Sequence, residues 1–164
     1  LYDIIFEESQ LTGSEIVYYL FCGTGSISLY LSKHAKMVYG FELVASAVQD
    51  AMQNAIHNKI KNAGFFGGNI ENLFNKNSEA KELEQLDVIV VDPPRGGLHT
   101  KTIEDIIEKS PKRIVYVSCN PASQARDVAL LCNEKYELKK LRPIDMFPHT
   151  PHVENVATLI QKSK

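Results

Sequence analysis

The sequence predicts an α/β fold: a mostly parallel sheet with helices on both faces. Apolar runs of strand length alternate with helical patterns along the chain. Two of the runs, 86–92 and 113–119, are continuous and β-branched, the pattern of strands covered on both faces. Gly23, Glu42, Asn69, Asp92 and Cys119 each end or closely follow an expected strand. In parallel sheets ligands bind beyond the carboxyl ends of the strands, where these five residues would gather.

A first strand is expected over 15–21, with a helix over 26–35 behind it. A second strand over 37–42 leads into a long helix over 44–60, and a short third strand covers 63–68. The polar stretch 69–85 reads as a loop with helical turns. After the strand at 86–92 come a helix over 100–110 and the strand at 113–119. A helix over 121–134 has Asn120 as N-cap and Pro121 at its first position. Two final strands, 136–147 and 152–162, are joined by the turn PHTP. Short links between alternating elements favour parallel pairing.

The 164 residues suit one domain of ordinary globular composition, 44% hydrophobic and 23% charged. No apolar run approaches the roughly 20 residues of a membrane span, and the acidic start LYDIIFEESQ lacks the basic region of a signal peptide. Three cysteines without a CxxC pair suggest a reduced, cytoplasmic setting. Residues 1–94 carry 6 Lys/Arg against 12 Asp/Glu, a net of −6; residues 95–164 carry 12 against 8, a net of +4. A chain of net charge −2 is no strong binder of nucleic acid, so a grip on RNA would come largely from outside it.

Phe21-Cys22-Gly23-Thr24-Gly25-Ser26 follows the first strand and opens a helix. Glycines there let the backbone turn and approach a ligand. Glu42, 17 residues after Gly25, stands where a carboxylate accepts both ribose hydroxyls. A tight turn beside a surface acid would read the same way, but the pair favours an adenosine-containing cofactor. Ser28 occupies the place of the third glycine of a dinucleotide fingerprint, which points to S-adenosylmethionine over NAD. Cys22 reads as a small apolar filler under the loop and Cys132 as core.

Asp92-Pro93-Pro94-Arg95-Gly96-Gly97 breaks off the fourth strand, its prolines holding the aspartate at the sheet edge. A plain turn would also take these residues, and DPP segments occur in amino-group methyltransferases, so the motif does not name the acceptor atom. Cys119 ends a buried strand just before a helix N-terminus, where partial positive charge lowers a thiol pKa from about 8.5. The alternative there is an inert structural thiol. In the tail, His149, His152 and Glu154 lack a partner at metal-ligand spacing elsewhere. No metal is expected. Glu154 reads as a general base, and the histidines as shaping the turn.

DPPRGG, IVYVSCNPAS and IDMFPHTPHVE, in this order and with 16 residues between Gly97 and Ile114, resemble the signatures of the RNA 5-methyluridine methyltransferases. With FCGTGSISL the resemblance covers nearly the whole chain. It implies a class I methyltransferase fold using S-adenosylmethionine, with Phe21, Ser26, Glu42, Asn69 and Asp92 at the cofactor, Gly23 and Gly25 in its loop, Cys119 as nucleophile and Glu154 as base. It further implies methylation of uracil C5 in RNA, 23S ribosomal RNA first and transfer RNA next, with no obligate protein partner evident.

The chain departs from the family at Tyr19, where an aspartate is usual, and at Ser123, usually threonine. The resemblance also places an RNA-binding domain, a glutamine-bearing cofactor segment and, in some members, an iron–sulfur cluster upstream of residue 1. The whole of 1–164 is therefore expected to be a C-terminal catalytic domain. Two other readings are an amino-group methyltransferase, which needs neither Cys119 nor Glu154, and a binding module inactivated by Tyr19.

Overall fold

The computed structural model describes residues 1–72, 83, 86–146, 148–150 and 152–163. The strands are β1 (Ile16–Leu20), β2 (Met37–Glu42), β3 (Ala63–Gly67), β4 (Val88–Val91), β5 (Arg113–Ser118), β6 (Tyr136–Ile144) and β7 (Glu154–Gln161). They form one sheet in the order β3-β2-β1-β4-β5-β7-β6. Pairing is parallel from β3 to β5, while β7 runs antiparallel to both β5 and β6. Each expected strand is present, trimmed by up to three residues where the ladder ends.

The helices are α1 (Tyr2–Ser9), α2 (Ser26–Leu31), α3 (Ala45–His57), α4 (Thr100–Lys109) and α5 (Pro121–Glu134). Alternation along the strands sorts the core into two layers. Ile16, Tyr18, Leu20, Ile89, Val91, Ile114 and Tyr116 pack with Ile103 and Ile106 of α4 and Val128 and Leu131 of α5. Val17, Tyr19, Val88, Val90, Val115 and Val117 pack with Ile5 of α1, Ile27 and Leu31 of α2, and Val48 and Ala51 of α3. The two buried runs read from the sequence are thus the central strands β4 and β5, and β1 between β2 and β4 is likewise covered on both sides.

Two local expectations need amendment. The helix over 26–35 is α only to Leu31, after which Ser32–His34 tightens into a 3-10 turn. Within the expected loop 69–85, Ile70–Asn72 forms a 3-10 turn, one of the helical turns expected there; residues 73–82, 84 and 85 lie outside the described residues, as do Phe147 and Pro151 near the tail turn. Cys132, expected in the core, is half-buried at its rim, packed against the α4/α5 layer.

Helix α1 has no counterpart in the sequence reading. Ile5 faces the sheet, and so does Glu8, which is 6% exposed. Glu8 accepts from Arg142 Nη1 at 3.0 Å and from the Thr158 hydroxyl at 2.9 Å, with Lys140 Nζ at 2.6 Å. Burial pushes its carboxyl up, but these donors outweigh it and hold the group below the ordinary range. The acid ties α1 to β6 and β7.

Candidate active site

The loop after β1 is held in a conformation that ordinary residues avoid. Phe21, Gly23 and Gly25 all have positive φ, at 64°, 54° and 80°. An aromatic residue there is an outlier that its surroundings must enforce. The Cys22 N–H donates to the Phe41 carbonyl at 3.0 Å, and the Gly25 N–H to the Cys22 carbonyl at 3.0 Å. The Glu42 carboxylate accepts the N–H of Gly23 at 3.0 Å and of Val44 at 2.9 Å, tying this loop to the one after β2. The two glycines differ in why they are there. A Cβ on Gly25 would meet Phe65 at 2.8 Å and Ala51 at 2.9 Å, whereas one on Gly23 would meet nothing within 4 Å. Gly25 is thus required by packing and Gly23 faces open space.

Beside this loop lies a cavity of about 430 Å³ lined by Phe21, Glu42, Leu43, Val44, Asn69 and Pro94, with Gly97 and His99 at the α4 side. Leu43 and Val44 are 64% and 54% exposed, leaving an apolar wall open beside the Glu42 carboxylate. Asn69 accepts the Glu71 N–H at 3.0 Å, fixing the turn after β3. Of the residues expected at a cofactor, Phe21, Glu42 and Asn69 come together here. Gly23 and Gly25 shape the loop behind them. Ser26 turns elsewhere: its Oγ accepts from the Tyr2 hydroxyl at 2.7 Å, in a separate cleft beside α1 and α2. Cys22 is buried under the loop, as expected of a filler. Burial first, and Glu42 second, push its thiol up to about 12.

Asp92 continues the β1/β4 ladder, its N–H reaching the Leu20 carbonyl at 3.3 Å. Burial raises its carboxyl to about 6, the negative charge of Glu154 adds to this, and Tyr19 opposes it. Tyr19 is itself buried in the apolar layer. Burial and the nearby Asp92 both hold its phenol protonated, so where the resemblance expects an acid the chain carries a neutral group.

Cys119 follows the last residue of β5 and is half-buried. The Asn120 side chain caps α5 by accepting the Ala122 N–H at 3.1 Å, with Pro121 in the first turn, as the sequence indicated. The same side chain donates to the Arg95 carbonyl at 2.9 Å, joining the cysteine segment to the DPPRGG segment. Glu154 opens β7. Because β7 runs antiparallel, its start lies at the carboxyl edge of the parallel strands. The β5/β7 register pairs Ser118 with Asn155, so Cys119 and Glu154 are the next two positions across it. Burial raises the Glu154 carboxyl. His149 has φ 68° in the turn, and the His152 N–H donates to the Thr150 hydroxyl at 3.2 Å. Among the described residues no three His, Cys, Asp or Glu side chains cluster as metal ligands.

Several buried polar residues around these groups escaped the sequence reading. Asp127, fully buried, accepts the Leu98 N–H and the Tyr116 hydroxyl, both at 2.7 Å. Arg126 pairs with it and donates to the Gly96 carbonyl at 2.9 Å. Gln124 and Asn155 bond each other. The available signal was Gln124 and Asp127, three apart on the core-facing stripe of α5, where an apolar residue is the rule.

Comparison with known proteins bears on the family and the fold. The chain is 48% identical over 159 residues to an "uncharacterized RNA methyltransferase" of Bacteroides thetaiotaomicron, covering 97% of this chain and 35% of the relative. A counterpart from Enterococcus faecalis is 49% identical over 163 residues, again over 35% of its length. The chain therefore spans about a third of the curated relatives it matches. The structure of Pyrococcus abyssi tRNA (uracil-54, C5)-methyltransferase in complex with S-adenosyl-L-homocysteine superimposes with a TM-score of 0.81 at 34% identity, over 96% of this chain and 37% of that one. A Streptococcus thermophilus rRNA methylase shares the fold at 16% identity and a TM-score of 0.76, over 99% of this chain and 94% of that one. The sheet is that of a class I methyltransferase. Residues 8–162 match the family described as tRNA (Uracil-5-)-methyltransferase, and the chain belongs to that family.

Proposed function

We propose that the chain is the catalytic domain of an S-adenosylmethionine-dependent RNA methyltransferase that methylates uracil C5 through a covalent bond from Cys119. The observation that supports this is the β5/β7 register, which ends at Ser118 and Asn155 and so leaves Cys119 and Glu154 as the next facing positions at the open edge of the sheet, with Glu154 near enough to Asp92 for its charge to be felt there.

The cavity suits the cofactor. Leu43 and Val44 offer apolar wall for a flat base, Glu42 stands ready for ribose hydroxyls, and Phe21 and Asn69 close the sides. Bound there, S-adenosylmethionine supplies a methyl group activated by its sulfonium. Asp92, two residues before the cavity-lining Pro94 and within electrostatic reach of Glu154, would accept from the amino-acid end of the cofactor.

Uracil C5 is too electron-poor to attack a sulfonium methyl unaided. The Cys119 thiolate adds to C6, and the electron pair passes to an enolate whose C5 is nucleophilic. C5 then forms its bond to the methyl carbon as the carbon–sulfur bond breaks. The Glu154 carboxylate removes the C5 proton, C5–C6 becomes a double bond again, and the thiolate leaves. The base must be flipped or single-stranded to present C6 to the thiol. Ribosomal RNA is the substrate the resemblance favours; transfer RNA is the substrate for which the Pyrococcus relative is named.

The test is covalent trapping with the full-length protein and RNA carrying 5-fluorouridine. Fluorine cannot leave as a cation, so the reaction stalls as a methylated protein–RNA adduct. Wild type should give the adduct and Cys119→Ala none. A Cys119→Ala enzyme that still methylates uracil C5 overturns the mechanism. Mapping 5-methyluridine in ribosomal and transfer RNA of cells lacking the gene assigns the substrate.

A further inference from the structure

Cys119 is held by no ladder, and Glu154 by a ladder on one side alone. Cys119 lies one residue past β5, and Glu154 follows the turn that contains Pro148 and the positive-φ His149. On its far side Glu154 pairs with Ile144, the last residue of β6. On its near side the last pair is Ser118 with Asn155. What sets the base against the nucleophile must therefore act at that pair, and a buried amide cluster lies there.

Gln124 stands one turn into α5, its N–H donating to the Asn120 carbonyl at 3.1 Å. Its Nε2 donates to the Tyr116 carbonyl on β5 at 2.8 Å and to the Asn155 carbonyl on β7 at 3.1 Å. Asn155 Nδ2 donates back to Gln124 Oε1. One side chain thus joins the helix that starts behind Cys119, the strand that ends at it and the strand that begins with Glu154. The two residues are 2% and 5% exposed. Asn155 Oδ1 has no hydrogen-bond partner among the described residues. Packing alone does not call for an amide here, because a β-branched residue would fill β7 without a buried acceptor left unpaired.

We propose that Gln124 and Asn155 are positioning residues, a reciprocal amide pair that fixes the Glu154 carboxylate against the Cys119 thiol. The proposal rests on reading Cys119 as nucleophile and Glu154 as base. It acts on one step: with the pair broken, the thiol still adds, but the base no longer lies squarely on the C5 proton.

The experiment uses the full-length protein with transcripts of 23S ribosomal RNA and of transfer RNA tritiated at uridine C5, so that tritium release reports removal of the C5 proton. Gln124→Met and Asn155→Thr should slow release roughly 10- to 100-fold, the effect of misplacing a catalytic group by about an ångström. Both should trap 5-fluorouridine RNA at the wild-type rate, and the double variant should be no slower than the worse single one. If either variant fails to fold, Gln124→Glu or Asn155→Ser replaces it. Wild-type release in both amide variants, with slow release in Glu154→Gln, overturns the proposal alone. Wild-type release in Glu154→Gln overturns the reading beneath it as well. Trapping and release that slow in parallel with a lowered melting temperature assign the pair a structural role only, and also overturn it.

Discussion

The two halves of the cleft are built from different materials. On the side of β1, β2 and β3, backbone makes the site: three positive φ values in the loop after β1, and N–H groups gathered by the single carboxylate of Glu42. On the side of β4, β5 and β7, side chains make it: half-buried Asn120 and buried Gln124, Asp127 and Asn155 knit the loops into one block. A site for a large bound cofactor needs a surface, which backbone supplies rigidly. A proton transfer needs two groups in register, which strands and their side chains supply.

The largest expected effect falls on the side-chain half. Glu154→Gln should slow turnover about 10²–10⁴-fold, with adduct accumulating on ordinary uridine RNA and cofactor affinity unchanged in calorimetry. A fall in cofactor affinity instead would merge the two halves into one site. Glu42→Ala is the converse: it removes two charge-assisted hydrogen bonds, each worth about 1.5–3 kcal/mol. It should weaken S-adenosylhomocysteine binding at least tenfold in calorimetry, and leave adduct formation at saturating cofactor intact.

The backbone half can be dissected at its glycines. Gly25→Ala combines a forced left-handed residue with overpacking against Phe65 and Ala51, and should lower stability by about 2–4 kcal/mol. Gly23→Ala meets open space and should lower it by about 1 kcal/mol. Equal losses in denaturant titrations would show that strain alone governs the loop.

A further effect depends on pH. The Asp92 carboxyl is raised from 3.8 to about 6, so the folded state binds its proton more tightly than the unfolded chain. Stability from this group is present at low pH and is lost as pH rises between those values. Asp92→Asn should therefore gain up to roughly 2–3 kcal/mol over wild type above pH 6 and nothing below about pH 4. Its cofactor affinity should fall at the same time. Thermal melts at pH 4 and pH 8 decide it; the same gain at both pH values would place the destabilisation elsewhere.

Much of the fold was legible because periodicity, capping and turn chemistry are local. The two buried runs became β4 and β5, and Asn120-Pro121 opened α5 as its residue types require. Helix α1 was not legible, since its short apolar stripe carries Glu8 where a core residue would stand. Only Lys140, Arg142 and Thr158, some 130 to 150 residues away, make that acid acceptable inside. Gln124 and Asn155 escaped for the same reason: an amide's value in the interior is set by partners that sequence distance conceals.

By itself the sequence determined the residue types at the strand ends, the family they resemble, and the cysteine and glutamate offered for chemistry. It did not determine that 35 residues of chain bring Cys119 and Glu154 to adjacent positions, nor that Ser26 faces away from the cavity that Glu42 and Asn69 share. Those facts depend on the antiparallel direction of β7 and on which layer each side chain enters. Both are set by hydrogen bonding between distant strands and by packing across the sheet.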